Sequence, residues 1–199
     1  MRTLNVHVIT AALVSCVLSL ACPGAAQAYQ QCPSQPVAQI FQPWGDPGWY
    51  ELIPDGAMEQ RSGAWSLRGG AAFVPGNEPY YVTSPQDRWS LSLAPGGAAT
   101  SAPTCIGLGH PVLRFFARST APAQGTLRID VLFTDPTGTV RSQQIALLAA
   151  GSSWQPTPPI PIVLNSLSLL APQNVQFRFT AIGGASSLDD VYVDPYGKG

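Results

Sequence analysis

The chain has 199 residues and a net charge of −1, with 45% hydrophobic and only 11% charged side chains. Ten Lys and Arg stand against eleven Asp and Glu, which leaves no basic field for nucleic acid. Twenty prolines and nineteen glycines interrupt the chain too often for long helices, so short strands and turns are expected.

The first 28 residues read as an export signal. Arg2 gives a positive start, residues 8–22 are apolar, and Ala26-Gln27-Ala28 is an A-x-A cleavage site. The apolar run of about 15 residues falls short of the roughly 20 that span a membrane. Cleavage after Ala28 predicts a secreted product, residues 29–199, forming a single β-sandwich domain with no membrane span. Leu13-Val14-Ser15-Cys16 also fits a lipid-anchor pattern, but the A-x-A site is better placed. Loss of the leader removes Cys16 and Cys22 and leaves Cys32 and Cys105. Two cysteines in an exported chain allow one internal disulfide; the alternative is two buried thiols. Neither has the C-x-x-C spacing of a zinc site.

Residues 29–44 are irregular and expected to wrap the surface. Trp44-Gly45-Asp46-Pro47 and Pro54-Asp55-Gly56 are turns around a short strand at 49–53. Strands are expected at 64–67, 71–74, 80–83 and 89–93, and residues 95–104, small and polar, as a loop leading to Cys105. Alternation is clearest further on. In 112–119, Leu113, Phe115 and Ala117 face one way, and Arg114, Phe116 and Arg118 the other. In 127–134, Leu127, Ile129, Val131 and Phe133 face the core, and Arg128 and Asp130 face away. Asp135-Pro136-Thr137-Gly138 turns the chain into a strand at 140–148. Four prolines in 154–161 suit an extended run on a sheet edge, and 165–170 a single helical turn. Val175, Phe177 and Phe179 point inward, Gln176 and Arg178 outward, and a strand at 188–193 ends the fold, stopped by Pro195. About ten short strands predict an all-β, antiparallel jelly-roll sandwich.

Two sets of residues carry a resemblance. Glu59, Trp65-Ser66-Leu67 with Gly69-Gly70, and the closing Leu188-Asp189-Asp190-Val191 resemble the galactose-binding-like jelly rolls, which include many carbohydrate-binding modules. That resemblance implies a structural calcium ion held by Glu59, Asp189 and Asp190; Met58 stands where those modules usually carry Phe. Phe41-Gln42-Pro43-Trp44-Gly45-Asp46-Pro47, Gly76-Asn77-Glu78-Pro79, Leu113 to Arg118 and Asp189 to Tyr196 resemble a group of secreted actinobacterial proteins, a likeness that carries no activity with it.

The residues supply their own candidates. Calcium takes six to eight hard oxygen ligands, and the three carboxylates converge if the first and last strands are neighbours; otherwise they cap turns or pair with Arg. Arg114, Arg118, Arg128 and Arg178 lie on the non-core face of three strands, and adjacent strands would make them a polar ladder for a sugar or a carboxylate ligand, with Asp130 as a cross-strand partner. The bland alternative is a solvated face with ion pairs of about 0 to 1 kcal/mol. Trp44, Trp49, Tyr80, Tyr81, Trp89, Trp154 and Tyr192 are available as stacking platforms for a sugar, the alternative for each being burial, whereas Trp65 is assigned to the core. His110 is the only histidine after the leader, and no Gly-x-Ser-x-Gly turn accompanies it. Nothing fixes the separation that Glu51, Glu59 or Glu78 would need as glycosidase acids. The favoured expectation is a non-catalytic domain binding an extracellular or cell-surface glycan. The alternative is a structural or protein-interaction module of the cell envelope, with an extracellular hydrolase third.

Overall fold

The computed structural model describes residues 32–61, 63–107, 112–120, 125–162 and 172–194. The leader, His110, Pro195 and the helical turn expected at 165–170 lie outside the described residues. Among the described residues there are fourteen strands, one 3-10 turn (Gln42–Trp44) and no α-helix. They form two antiparallel sheets, a jelly-roll sandwich.

The last strand, β14 (Ser186–Val193), is buried at all eight positions. One edge of it pairs with β8 (Val112–Ser119). The other edge pairs with β5 (Trp89–Leu93) near its start and β2 (Tyr50–Leu52) near its end. Outside those lie β4 (Ala71–Pro75) and β1 (Val37–Ala38). The free edge of β8 is closed by two proline-bearing pieces, β11 (Gln155–Pro156) and β12 (Ile160–Pro161), as the proline run predicts.

The second sheet runs β10 (Val140–Ala150), β9 (Gly125–Thr134), β13 (Gln173–Ile182), β6 (Ala98–Ser101) and β3 (Trp65–Arg68), with β7 (Thr104–Ile106) also paired to β13. The inward sets expected from alternation meet between the sheets: Leu113, Phe115, Ile129, Val131, Phe177, Phe179, Leu188 and Val191 are 0% exposed, and Ala117 is buried with them. Phe115 meets Phe179 edge-to-face, with ring centroids 5.1 Å apart. Each such ring contributes about 1.5 to 3 kcal/mol through burial.

A second apolar cluster covers the opposite face of β8. Phe116, Tyr192, Tyr50 and Trp154 pack there around Phe41, whose ring lies 5.7 Å from that of Phe116. Thus the N-terminal segment roofs the outside of the eight-stranded sheet. Cys32 and Cys105 form the expected disulfide, with Cα atoms 5.5 Å apart, and tie this segment to β7.

Three expectations change. Residues 80–83 form turns rather than a strand, because the Glu78 carboxylate accepts the backbone N–H groups of Tyr80 (2.5 Å) and Val82 (2.9 Å) that a ladder would need. Within 95–104, Ala98–Ser101 is a strand, because β3 and β13 supply pairing on both sides and Ala99 fills core space. The arginine ladder divides: β8 carries Arg114 and Arg118 in one sheet, while β9 and β13 carry Arg128 and Arg178 in the other.

Candidate functional site

Two places concentrate chemistry: the outer face of the six-stranded sheet and a buried acidic corner beside β14.

On the outer face, register sets the neighbours. Asp130 on β9 sits opposite Arg178 on β13 and Gln144 on β10, and Arg178 in turn sits opposite Thr100 on β6. Two residues along, Arg128 sits opposite Thr180 and Leu147. Asp130 is 1% exposed although it points away from the core. Burying a carboxylate is costly unless it is paired, and two guanidiniums meet that need. Arg128 donates from Nε (3.0 Å) and Nη2 (2.7 Å) to Oδ1. Arg178 donates from Nη2 to Oδ2 at 3.3 Å and to Ser142 Oγ at 2.8 Å. The arginines remain open to solvent, with side chains 41% and 33% exposed. One carboxylate therefore orients two accessible guanidiniums.

The other arginines on this list are occupied differently. Arg114 is 4% exposed. It donates to Asp46 Oδ2 at 2.5 Å and, from Nε and Nη2, to the Thr157 carbonyl at 2.9 and 2.6 Å, with its guanidinium 4.1 Å over the Phe41 ring. Those contacts bind the N-terminal roof to β8 and to the proline run. Asp46 titrates low: burial would raise it, but hydrogen bonds from Tyr50, Gly48 and Arg114 outweigh burial. Arg118 is half-buried over Trp154, 4.9 Å from the ring. Trp89 is half-buried at the start of β5, packs on the main core, and carries the Arg61 guanidinium 4.0 Å over its ring. None of these three lies on the face that holds Arg178.

The acidic corner grows from a bulge. Pairing of β14 with β8 slips between Asp189 and Tyr192. Asp190 takes a left-handed backbone, φ 50°, which Asp tolerates better than most residues. The slip is pinned by the 53–56 turn: Ile53 N–H donates to the Val191 carbonyl at 3.1 Å and Val191 N–H to the Gly56 carbonyl at 3.1 Å. A side chain at Gly56 would place its Cβ 2.6 Å from that Val191 oxygen, so only glycine fits.

Asp189, Asp190 and Glu78 are all 0% exposed. Asp189 Oδ2 accepts the Glu78 N–H at 3.1 Å, and its Oδ1 accepts the Asp190 N–H at 2.9 Å. Asp190 Oδ1 accepts the Thr83 hydroxyl at 2.5 Å, and that hydroxyl also bonds the Tyr192 hydroxyl. Asp190 meets the Glu78 carboxyl side chain to side chain, and its Oδ2 has no hydrogen-bond partner among the described residues. Burial, followed by repulsion from Asp190, pushes the Asp189 carboxyl well above the usual range. Burial also pushes Asp190 up, and the charges of Glu78 and Asp87 add to it. Among the described residues no salt bridge reaches Glu78, Asp189 or Asp190. The expected third acid, Glu59, is placed one step away. Its Oε1 accepts the N–H groups of Arg88 (2.6 Å) and Trp89 (2.8 Å), and it acts on Asp55 and Asp87, both raised chiefly by burial. The acid that joins the Asp pair is Glu78, which the sequence offered in the Gly76-Asn77-Glu78-Pro79 stretch and as a carboxylate, but not as a partner of the Asp pair.

The donor chemistry fits a hard cation: carboxylates only, one buried oxygen unpartnered, and mutual repulsion for a cation to relieve. The side chains form no ready cage, since among the described residues no three acidic, His or Cys side chains meet at metal-ligand spacing.

No family model matches the chain. No curated protein matches it either. Solved structures of similar shape include the C-terminal family 22 carbohydrate-binding module of Clostridium thermocellum Xyn10B, 16% identical, covering 72% of this chain and 94% of that one, TM-score 0.46. The CBM22-1 xylan-binding domain from Paenibacillus barcinonensis Xyn10C is 12% identical over 73% of this chain and 91% of that one, TM-score 0.48. A CBM22-1–GH10 portion of the Clostridium thermocellum xylanase 10B is 13% identical over 68% of this chain, which spans only 27% of that longer chain, TM-score 0.48. At these values no binding-site residue of those modules transfers to this chain.

Proposed function

We propose that this protein is an exported, non-catalytic domain that binds a glycan on the outer face of its six-stranded sheet. The observation that carries this reading is the pair of accessible guanidiniums, Arg128 and Arg178, oriented by the buried Asp130. Guanidiniums already held in place lose little side-chain freedom on binding, which favours recognition by hydrogen bonding. The face opposite, on the eight-stranded sheet, is covered by the cluster around Phe41 and Phe116, with Tyr80 exposed at its edge. The disulfide supports export, because such bonds persist in oxidising compartments.

The acidic corner serves stability in this reading. Glu78, Asp189 and Asp190 would hold a calcium ion, with Asp87 near, and the ion would supply the missing counter-charge where β14 bulges. Glu59 stays outside that set and fastens the start of β5.

Native gels cast with soluble polysaccharides test the binding. The purified protein is expected to be retarded by at least one polymer, and Arg178→Lys to run with less retardation at unchanged folding. Free migration through a broad panel would contradict the reading and favour a protein-interaction module of the cell envelope.

A further inference from the structure

The same face carries a second message about what it binds, one that rests on the glycan reading. Beside the exposed Leu147 and Ile182, its outward residues offer charge and hydrogen bonds but no ring. On β13, β6 and β3 they are Arg178, Thr180, Thr100, Ala98, Ser66 and Arg68, aligned by register. Among the described residues, no aromatic side chain stands at these positions, so a neutral sugar ring finds nothing to stack upon.

Charge on the face is unbalanced. One carboxylate, Asp130, is shared by Arg128 and Arg178, and the exposed Arg68 lies on the same row as Arg128, reached through Thr180 and Ala98. Asp130 consumes Nε and Nη2 of Arg128 but only Nη2 of Arg178. Among the described residues, Nη1 of Arg128 and both Nε and Nη1 of Arg178 are left as donors for another acceptor. Strand spacing places Arg178 on the order of 10 Å from the β3 row of Arg68, and the diagonal from Arg128 to Arg178 spans about 7 to 8 Å. Two cavities formed by the described residues lie elsewhere, beside the disulfide and beside Asp46. Three guanidiniums on an open, ring-free sheet suit an extended polymer with repeated negative groups, and the planar fork of arginine matches a carboxylate.

We propose that the ligand is an acidic polysaccharide, a polymer of uronic acid type whose carboxylates pair with Arg178, Arg128 and Arg68. The acids beside β14, Glu78, Asp189 and Asp190, are buried away from solvent.

The test is affinity electrophoresis of the full-length purified protein in polygalacturonate, in its carboxyl-reduced neutral counterpart, and in dextran sulfate. Retardation by polygalacturonate is expected to exceed that by the reduced polymer and to fall with added salt. Arg68→Gln, at an exposed side chain, is expected to weaken binding about tenfold. Arg178→Lys keeps the charge that Asp130 needs but loses the fork, and is expected to weaken binding about ten- to a hundredfold, with an unchanged melting temperature confirming the fold. Equal binding of the carboxyl-reduced polymer overturns the acidic ligand while leaving glycan binding intact. Equal binding of dextran sulfate overturns carboxylate recognition in favour of charge alone. Binding of no polysaccharide at all removes the glycan reading and this inference with it.

Discussion

Asp190 is a buried carboxylate in a left-handed backbone, facing a second carboxylate and leaving one oxygen without a partner. It and Asp189 hold protons more tightly in the folded chain than in the unfolded one, because burial and mutual repulsion disfavour their charged forms. Their contribution to stability is therefore fully present below about pH 4 and is lost as pH rises through neutrality toward their raised folded values. In chelator, melting temperature is expected to fall between about pH 5 and about pH 8 from this cause, and Asp190→Asn to flatten that fall. If the corner holds calcium, adding the ion at neutral pH raises the melting temperature of the native protein and not that of Asp190→Asn; calorimetry with calcium and with chelator reads both. Arg114 behaves as a structural residue. Arg114→Met removes the counter-charge of Asp46 and the guanidinium donors to the Thr157 carbonyl, and is expected to cost about 3 kcal/mol in a urea titration. The Asp pair was readable in the sequence as a site of some kind. Its partner was not, because Glu59 and Glu78 are equally acidic, and only the 78–84 turn brings Glu78 onto Asp189.

At the scale of elements, alternation made β8, β9 and β13 legible, since each buries one apolar row against the other sheet. Assignment to sheets was not legible. Arg114, Arg118, Arg128 and Arg178 have the same local pattern, yet pairing puts two in each sheet. Residues 98–101 have weak strand propensity and become a strand through neighbours on both sides. Residues 80–83 have the opposite history: Tyr, Tyr, Val and Thr favour a strand, but the Glu78 carboxylate claims two of the backbone donors. Glu78→Ala is expected to speed amide exchange at Tyr80 and Val82 while leaving β9 and β13 protected, as hydrogen exchange would record. Gly56→Ala forces the turn away from Val191 and is expected to cost about 1 to 3 kcal/mol in melting measurements.

For the whole molecule, the two outer faces have different fates. One is roofed by the N-terminal segment through the Phe41 cluster, and a disulfide spanning 73 residues ties that segment down. Chain entropy for a loop of that length corresponds to about 4 kcal/mol, the loss expected in a urea titration after Cys32→Ser with Cys105→Ser. The other face stays accessible, with guanidiniums beside the exposed Leu147 and Ile182, and the glycan account stands on it. Nuclear magnetic resonance mapping tests that account most directly, by following backbone amide shifts as oligogalacturonides are added. Shifts centred on Arg128, Asp130, Arg178, Thr100 and Ser66 are the predicted result. Shifts confined to the 78–84 turn and Trp44, or no shifts at millimolar ligand, would contradict it.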